Sequence, residues 1–135
     1  MFFKKRVDPA RSFEKITLRQ SGMRCTSEHE IISKDGAAEI TEYVIKYSDG
    51  EEKRAAEKHA VRGTDEVLKL INDCGLLSWD GFHGKHPRGI KDGTMFSLDA
   101  VIDGRSIHAD GSQNFPRNYR DFTDGLYRLL NEEKI

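Results

Sequence analysis

The chain has 135 residues, with 22 basic side chains against 23 acidic ones and a net charge of −1. That length suits one domain around one core, and the charge balance gives no support to nucleic-acid binding, which wants a net basic face. Apolar periodicities run through a composition that is 33% charged, which argues against disorder.

Residues 1–11, rich in charge and carrying Pro9, predict a loose N-terminal arm, and 12–135 a single domain. Ile16 and Leu18 alternate with polar residues, predicting a strand over 13–20, turned at Ser21-Gly22. A second strand is expected over 23–32. Asp35-Gly36 joins it to a third over 39–47, where Tyr43, Ile45 and Tyr47 share one face and Val44 takes the other. After Asp49-Gly50, residues 51–60 have helix-favouring composition, but the turn before them favours a hairpin partner. They are read as a polar edge strand protected by its charges.

Thr64 is the expected N-cap of a first helix, with Asp65 and Glu66 in its first turn and Gly75 as its C′ residue. Val67, Leu68, Ile71 and Cys74 form the apolar stripe. Leu76, Leu77, Trp79 and Phe82 are expected to plug the sheet from a loop, and 83–92 to be a second loop. Residues 94–102 and 105–110 then form a hairpin turned at Asp103-Gly104. A last helix starts near Pro116, or from a cap at Asn118. Tyr119, Phe122, Leu126, Leu129 and Leu130 supply its buried stripe. The whole reads as an α+β fold, an antiparallel sheet with two helices on one face, in the order ββββαββα. Seven of the twelve glycines follow an aspartate, as hairpin turns that need φ > 0 favour. Strand, Asp-Gly turn, strand and helix occur twice, a weak internal repeat.

Three blocks, Trp79-Asp80-Gly81-Phe82, Asp92-Gly93-Thr94-Met95-Phe96-Ser97-Leu98 and Gly111-Ser112-Gln113-Asn114-Phe115-Pro116-Arg117-Asn118-Tyr119, resemble the C-terminal halves of small uncharacterised proteins from clostridial-type bacteria. The resemblance covers about 62–130 and brings no activity, substrate or catalytic residue with it.

Chemistry is sparse. His83, Lys85, His86 and Arg88 make a basic loop, and Arg117 and Arg120 lie at the start of the last helix. Together they would bind an anion if loop and helix start converged. His83, His86 and His108 are a weaker alternative as metal ligands. Ser112 lies close to His108 and Asp110 in sequence, a local clustering that does not by itself make a triad. Neither GxxxxGK[ST] nor GxGxxG occurs, so no cofactor is expected. Cys25 and Cys74 form no CxxC and are read as two buried free thiols, pairing only if their Cα atoms approach in an oxidising compartment.

The leading expectation is a non-enzymatic binding or protein-interaction domain, meeting a protein partner or a second copy through a sheet edge. The alternative is a small enzyme or ligand binder recognising an anionic group near 83–91. Neither nucleic acid nor membrane is expected as a partner. No apolar run reaches the ~20 residues of a membrane span. The N-terminus lacks the apolar core of a signal peptide. The cytoplasm is therefore the expected location, unless an export signal lies upstream of Met1.

Overall fold

The structure, a computed structural model, describes residues 9–22, 25–89 and 93–131. Its strands are β1 (Phe13–Ser21), β2 (Thr26–Lys34), β3 (Ala37–Ser48), β4 (Glu51–Gly63), β5 (His83–Gly84), β6 (Met95–Ile102) and β7 (Arg105–Ser112). The helices are α1 (Thr64–Cys74) and α2 (Tyr119–Asn131), with a 3₁₀ turn at Leu76–Trp79. One sheet holds all seven strands in the order β4-β3-β2-β1-β6-β7-β5. Every pairing is antiparallel except that of β5 with β7.

The α+β expectation holds, with one strand more than the sequence predicts. Residues 83–84, expected in a loop, add to β7 in parallel, His83 opposite Asp110 and Gly84 opposite Gly111. A two-residue strand carries no periodicity that a sequence can reveal. Residues 51–60 are an edge strand, as expected, and 51–59 are exposed.

The three expected hairpin turns have both central residues in the left-handed region: Asp35 and Gly36 at φ 52 and 79, Asp49 and Gly50 at 54 and 77, Asp103 and Gly104 at 51 and 73. This twist matches that of the flanking strands. Asp80-Gly81 differs. Asp80 has φ −56 and ψ 127, Gly81 has φ 82, and Phe82 N–H donates to the Trp79 carbonyl at 2.9 Å. That is a type II turn. Asp92 lies outside the described residues.

The helices cover one sheet face. Ile16 and Leu18 of β1, Ile31 of β2, Ala38 and Ile40 of β3, Phe96, Leu98, Ala100 and Ile102 of β6, and Ile107 and Ala109 of β7 form a single core with Val67 and Ile71 of α1 and Phe122 and Leu126 of α2. Trp79 anchors it at 1% exposure, edge-on to Phe122, with its indole N–H donating to the Arg117 carbonyl at 3.0 Å. Leu76 and Trp79 are buried, while Leu77 and Phe82 are only partly so. The expected plug is therefore a tight helical turn rather than a loop.

Several boundaries shift for local reasons. Gly63, not Thr64, is the N-cap of α1, and its N–H donates to the Glu66 carboxylate at 3.1 Å. Gly75 takes the left-handed C′ position at φ 66, as expected. The last helix starts at Tyr119 rather than Pro116, because Asn118 sits at φ 68, which no helix continues through. Of the expected second strand, Met23 and Arg24 lie outside the described residues and pairing begins at Thr26. Residues 9–11 of the expected arm are docked: Ala10 is buried, and its N–H donates to the Asn72 side chain at 2.7 Å. Cys25 is exposed rather than buried, and both cysteines are free. Among the described residues no helix is long and apolar enough to cross a membrane.

Candidate functional site

The face away from the helices divides into two polar regions. Over β1–β4 the charges pair with one another across strands. Arg54 meets Glu28 at 2.7 Å and lies over the Tyr43 ring at 3.9 Å; Arg19 meets Glu52 at 2.5 Å; Lys15 meets Glu30 at 3.6 Å. Ile45 is 4% exposed yet stands apart from the helix-side core. On this side long charged stems do the covering that a second layer would otherwise do.

The second region runs across β6, β7 and β5. The two-residue turn at Asp103-Gly104 sets Asp99 opposite His108, and β5 sets His83 opposite Asp110. Strand alternation turns Ile107 and Ala109 into the core, so His108 and Asp110 face out. The result is a row of four side chains. His108 Nδ1 lies 2.7 Å from Asp99 Oδ1, and its Nε2 lies 2.8 Å from Asp110 Oδ2. His83 Nδ1 meets the other oxygen of Asp110.

The hydrogen bonds that His108 donates to Asp99, then to Asp110, raise its pKa above the ordinary value, against a smaller opposing effect of desolvation. Asp110 is held below the usual carboxylate range by His108 first and His83 second. A groove of about 340 Å³ beside the row is lined by Lys15, Thr17, Asp80, Asp99, Ser106 and His108, among others.

The strip before and through β5 is laced to β7. Gly81 N–H donates to the His108 carbonyl at 2.9 Å, and Asp110 N–H to the Phe82 carbonyl at 3.0 Å. The Asp80 carboxylate accepts the His108 N–H at 3.0 Å. Further along, His86 Nδ1 lies 2.7 Å from Ser112 Oγ, and the Asn114 amide donates to the Lys85 carbonyl at 3.3 Å. Gly111 lets the chain cross here, since a Cβ on it would sit 2.1 Å from the Asn114 carbonyl oxygen.

Of the residues singled out from the sequence, His83 and His108 are therefore joined through Asp110, and His86 reaches β7 one step further on. Lys85 and Arg88 are exposed on the same loop. Arg117 is exposed in the turn before α2, where its carbonyl receives the Trp79 indole, and Arg120 is exposed in the first turn of α2. His108 has both ring nitrogens turned to carboxylates, which leaves no lone pair for a metal in this arrangement. Among the described residues no three His, Cys, Asp or Glu side chains form a metal-binding group.

Asp99 is the member that sequence reading missed, and Asp110 was weighed only beside Ser112 and His108, not as a partner of His83. The signal for Asp99 was present: counting out four residues on each arm from the Asp103-Gly104 turn sets it against His108. Compared with protein-family models, with curated proteins and with solved structures, the chain matches none.

Proposed function

We propose that this chain is a non-enzymatic binding or protein-interaction domain that works through the helix-free side of its sheet. The observation that carries this reading is the burial asymmetry. Both helices and the whole core cluster lie on one face, and the other presents cross-strand charges and the Asp99–His108–Asp110–His83 row to solvent. Such a face offers orientation-specific hydrogen bonds and charges to a partner surface. Catalytic use of the row is less well supported. General acid–base work needs a nitrogen within reach of substrate and a site that sheds water. Here His108 spends both nitrogens on carboxylates and is 54% exposed.

Affinity capture from cells that encode the chain tests this, run beside light scattering on the pure protein. The wild type is compared with Asp99→Lys and with Arg54→Glu. A partner or self-association that the face variants lose supports the reading. A strict monomer with no partner lost on substitution refutes it.

The anion-binding alternative rests on the exposure of His83, Lys85 and Arg88 in one loop. It is weakened by Asp110, which already occupies His83 and His108. A melting-temperature screen with phosphate, sulfate, nucleotides and divalent metals separates the two readings, since a ligand of the folded state alone raises the midpoint. A shift abolished by Arg88→Ala and His86→Ala would favour the loop.

A further inference from the structure

An ionised carboxylate only accepts hydrogen bonds. His108 places one ring nitrogen 2.7 Å from Asp99 and the other 2.8 Å from Asp110, so both nitrogens must donate and the ring must be the imidazolium. His83 donates to the remaining oxygen of Asp110. The His108 part of the row therefore closes only while that ring carries both protons, and the row ties β5 to the β6–β7 hairpin.

Its last link is the weak one structurally. β5 has two residues, and apart from Phe82, which packs near Phe96, the strip 80–84 is held by backbone bonds to β7 and by the Asp80 carboxylate. The other groups facing the row do not replace a lost proton. Asp80 adds a third carboxylate beside Asp99 and Asp110. Lys15 of β1, the one cation besides His108 among the residues lining the groove, already leans on Glu30 at 3.6 Å, and Thr17 and Ser106 are uncharged.

We propose that the Asp99–His108–Asp110–His83 row is a proton-operated fastener: closed, it clips the strip 80–84 to the edge of β7, and loss of the second His108 proton loosens that strip while the rest of the sheet stays paired. A neutral His108 keeps one N–H and turns a lone pair toward the other carboxylate, so one bond is lost and repulsion among the aspartates is left unrelieved. Opening uncovers the backbone groups of β7 at Asp110–Gly111 that β5 occupies. Proton occupancy thus controls access to one sheet edge. This does not depend on the interaction reading above, because it concerns the chain alone.

The test is amide exchange followed by NMR from about pH 5 to about pH 9, the range in which histidines titrate. Gly81 and Asp110 N–H report the strip, Leu98 N–H reports the central sheet, and histidine Cε1–H shifts report the rings. After correction for base-catalysed exchange, protection of Gly81 and Asp110 falls by roughly fivefold or more as His108 titrates, while Leu98 stays level. Asp99→Asn moves the fall to lower pH. His108→Ala leaves Gly81 at the loose level at every pH. Protection at Gly81 that stays flat while the His108 ring visibly titrates overturns the proposal. So does a fall that persists unchanged in His108→Ala.

Discussion

Gly125 stands in the middle of α2, where glycine costs about 1 kcal/mol relative to alanine. The structure supplies the reason for it. A Cβ built on Gly125 would lie 2.3 Å from Leu70 Cδ1 and 3.3 Å from its Cγ, so α1 and α2 meet where a side chain is missing. Apolar carbons rest at about 3.5–4.0 Å, so Leu70 would have to move by more than 1 Å or so. Overpacking of this kind costs roughly 1–3 kcal/mol. Set against the helix gain of about 1 kcal/mol, Gly125→Ala should destabilise by about 1 kcal/mol. Leu70 is only partly buried, so Leu70→Ala should cost about 1–2 kcal/mol, below the range for a full core site. In the Leu70→Ala background the clash is gone, and Gly125→Ala should become stabilising by about 1 kcal/mol. The coupling between the two sites is then about 2 kcal/mol. Urea unfolding of all four proteins, followed by circular dichroism and linear extrapolation, measures it. The argument is refuted if Gly125→Ala has the same effect in both backgrounds. It is refuted equally if Gly125→Ala stabilises the wild type, which would mean that Leu70 swings without cost into the adjoining groove lined by Glu66, Lys69, Asp73 and Arg128.

Trp79→Phe removes the indole bond to the Arg117 carbonyl and opens a void beside Phe122, so it should lose about 2–4 kcal/mol in the same unfolding assay. Asp103 is nudged up by desolvation, but the N–H groups of Ser12 and Arg11 outweigh this and hold it below the usual carboxylate range. Its contribution is therefore present above the ordinary aspartate pKa and is lost as pH falls through the lowered one. Asp103→Ala should cut amide protection at Arg11 and Ser12 at neutral pH while leaving Leu98 unchanged, whereas Asp103→Asn, which keeps an acceptor and suits the left-handed turn, should lose less. In spectrophotometric titration, burial keeps Tyr119 from ionising until about 12, offset only in part by its bond from Gln20, and Tyr119→Phe should remove that late step. Burial pushes the Cys74 thiol up, so Cys25 should be alkylated in the folded protein and Cys74 only after unfolding, as mass spectrometry of the labelled chain would show.

What could be read from the sequence follows the range of the interactions involved. The hairpins at Asp35-Gly36, Asp49-Gly50 and Asp103-Gly104 were legible because two-residue turns are a local property, and the pairing of neighbours follows from them. The helix stripes were legible because four of the five residues named on α2 are buried, Leu129 being only partly so. The nature of 51–60 was decided correctly by the turn before it and not by its helix-favouring composition, a case of context overriding propensity. What stayed hidden is non-local. The pairing of β5 with β7, the docking of Ala10 against Asn72 and the meeting of Gly125 with Leu70 all join segments far apart in the chain. The candidate site lies between these cases. Asp99 opposite His108 could be counted out from a turn, but His83 reaches Asp110 only through the hidden strand.

That division explains why the Asp-Gly pairs look uniform in sequence and are not uniform in use. At Asp103 the residue sets a left-handed turn, and its carboxylate also accepts the N–H groups of Arg11 and Ser12, fixing where the chain enters the sheet. At Asp80 the dipeptide makes a type II turn, and its carboxylate accepts the His108 N–H on the neighbouring strand. At Asp110 there is no turn: the carboxylate joins two histidines, and the following glycine admits the Asn114 carbonyl. The common physical element is an acceptor on a short side chain beside a residue without Cβ. That pairing lets two backbones approach closely and satisfies the N–H groups that the approach leaves open. In this fold it serves first to turn strands, and at the β7 edge it builds the row for which proton control is proposed.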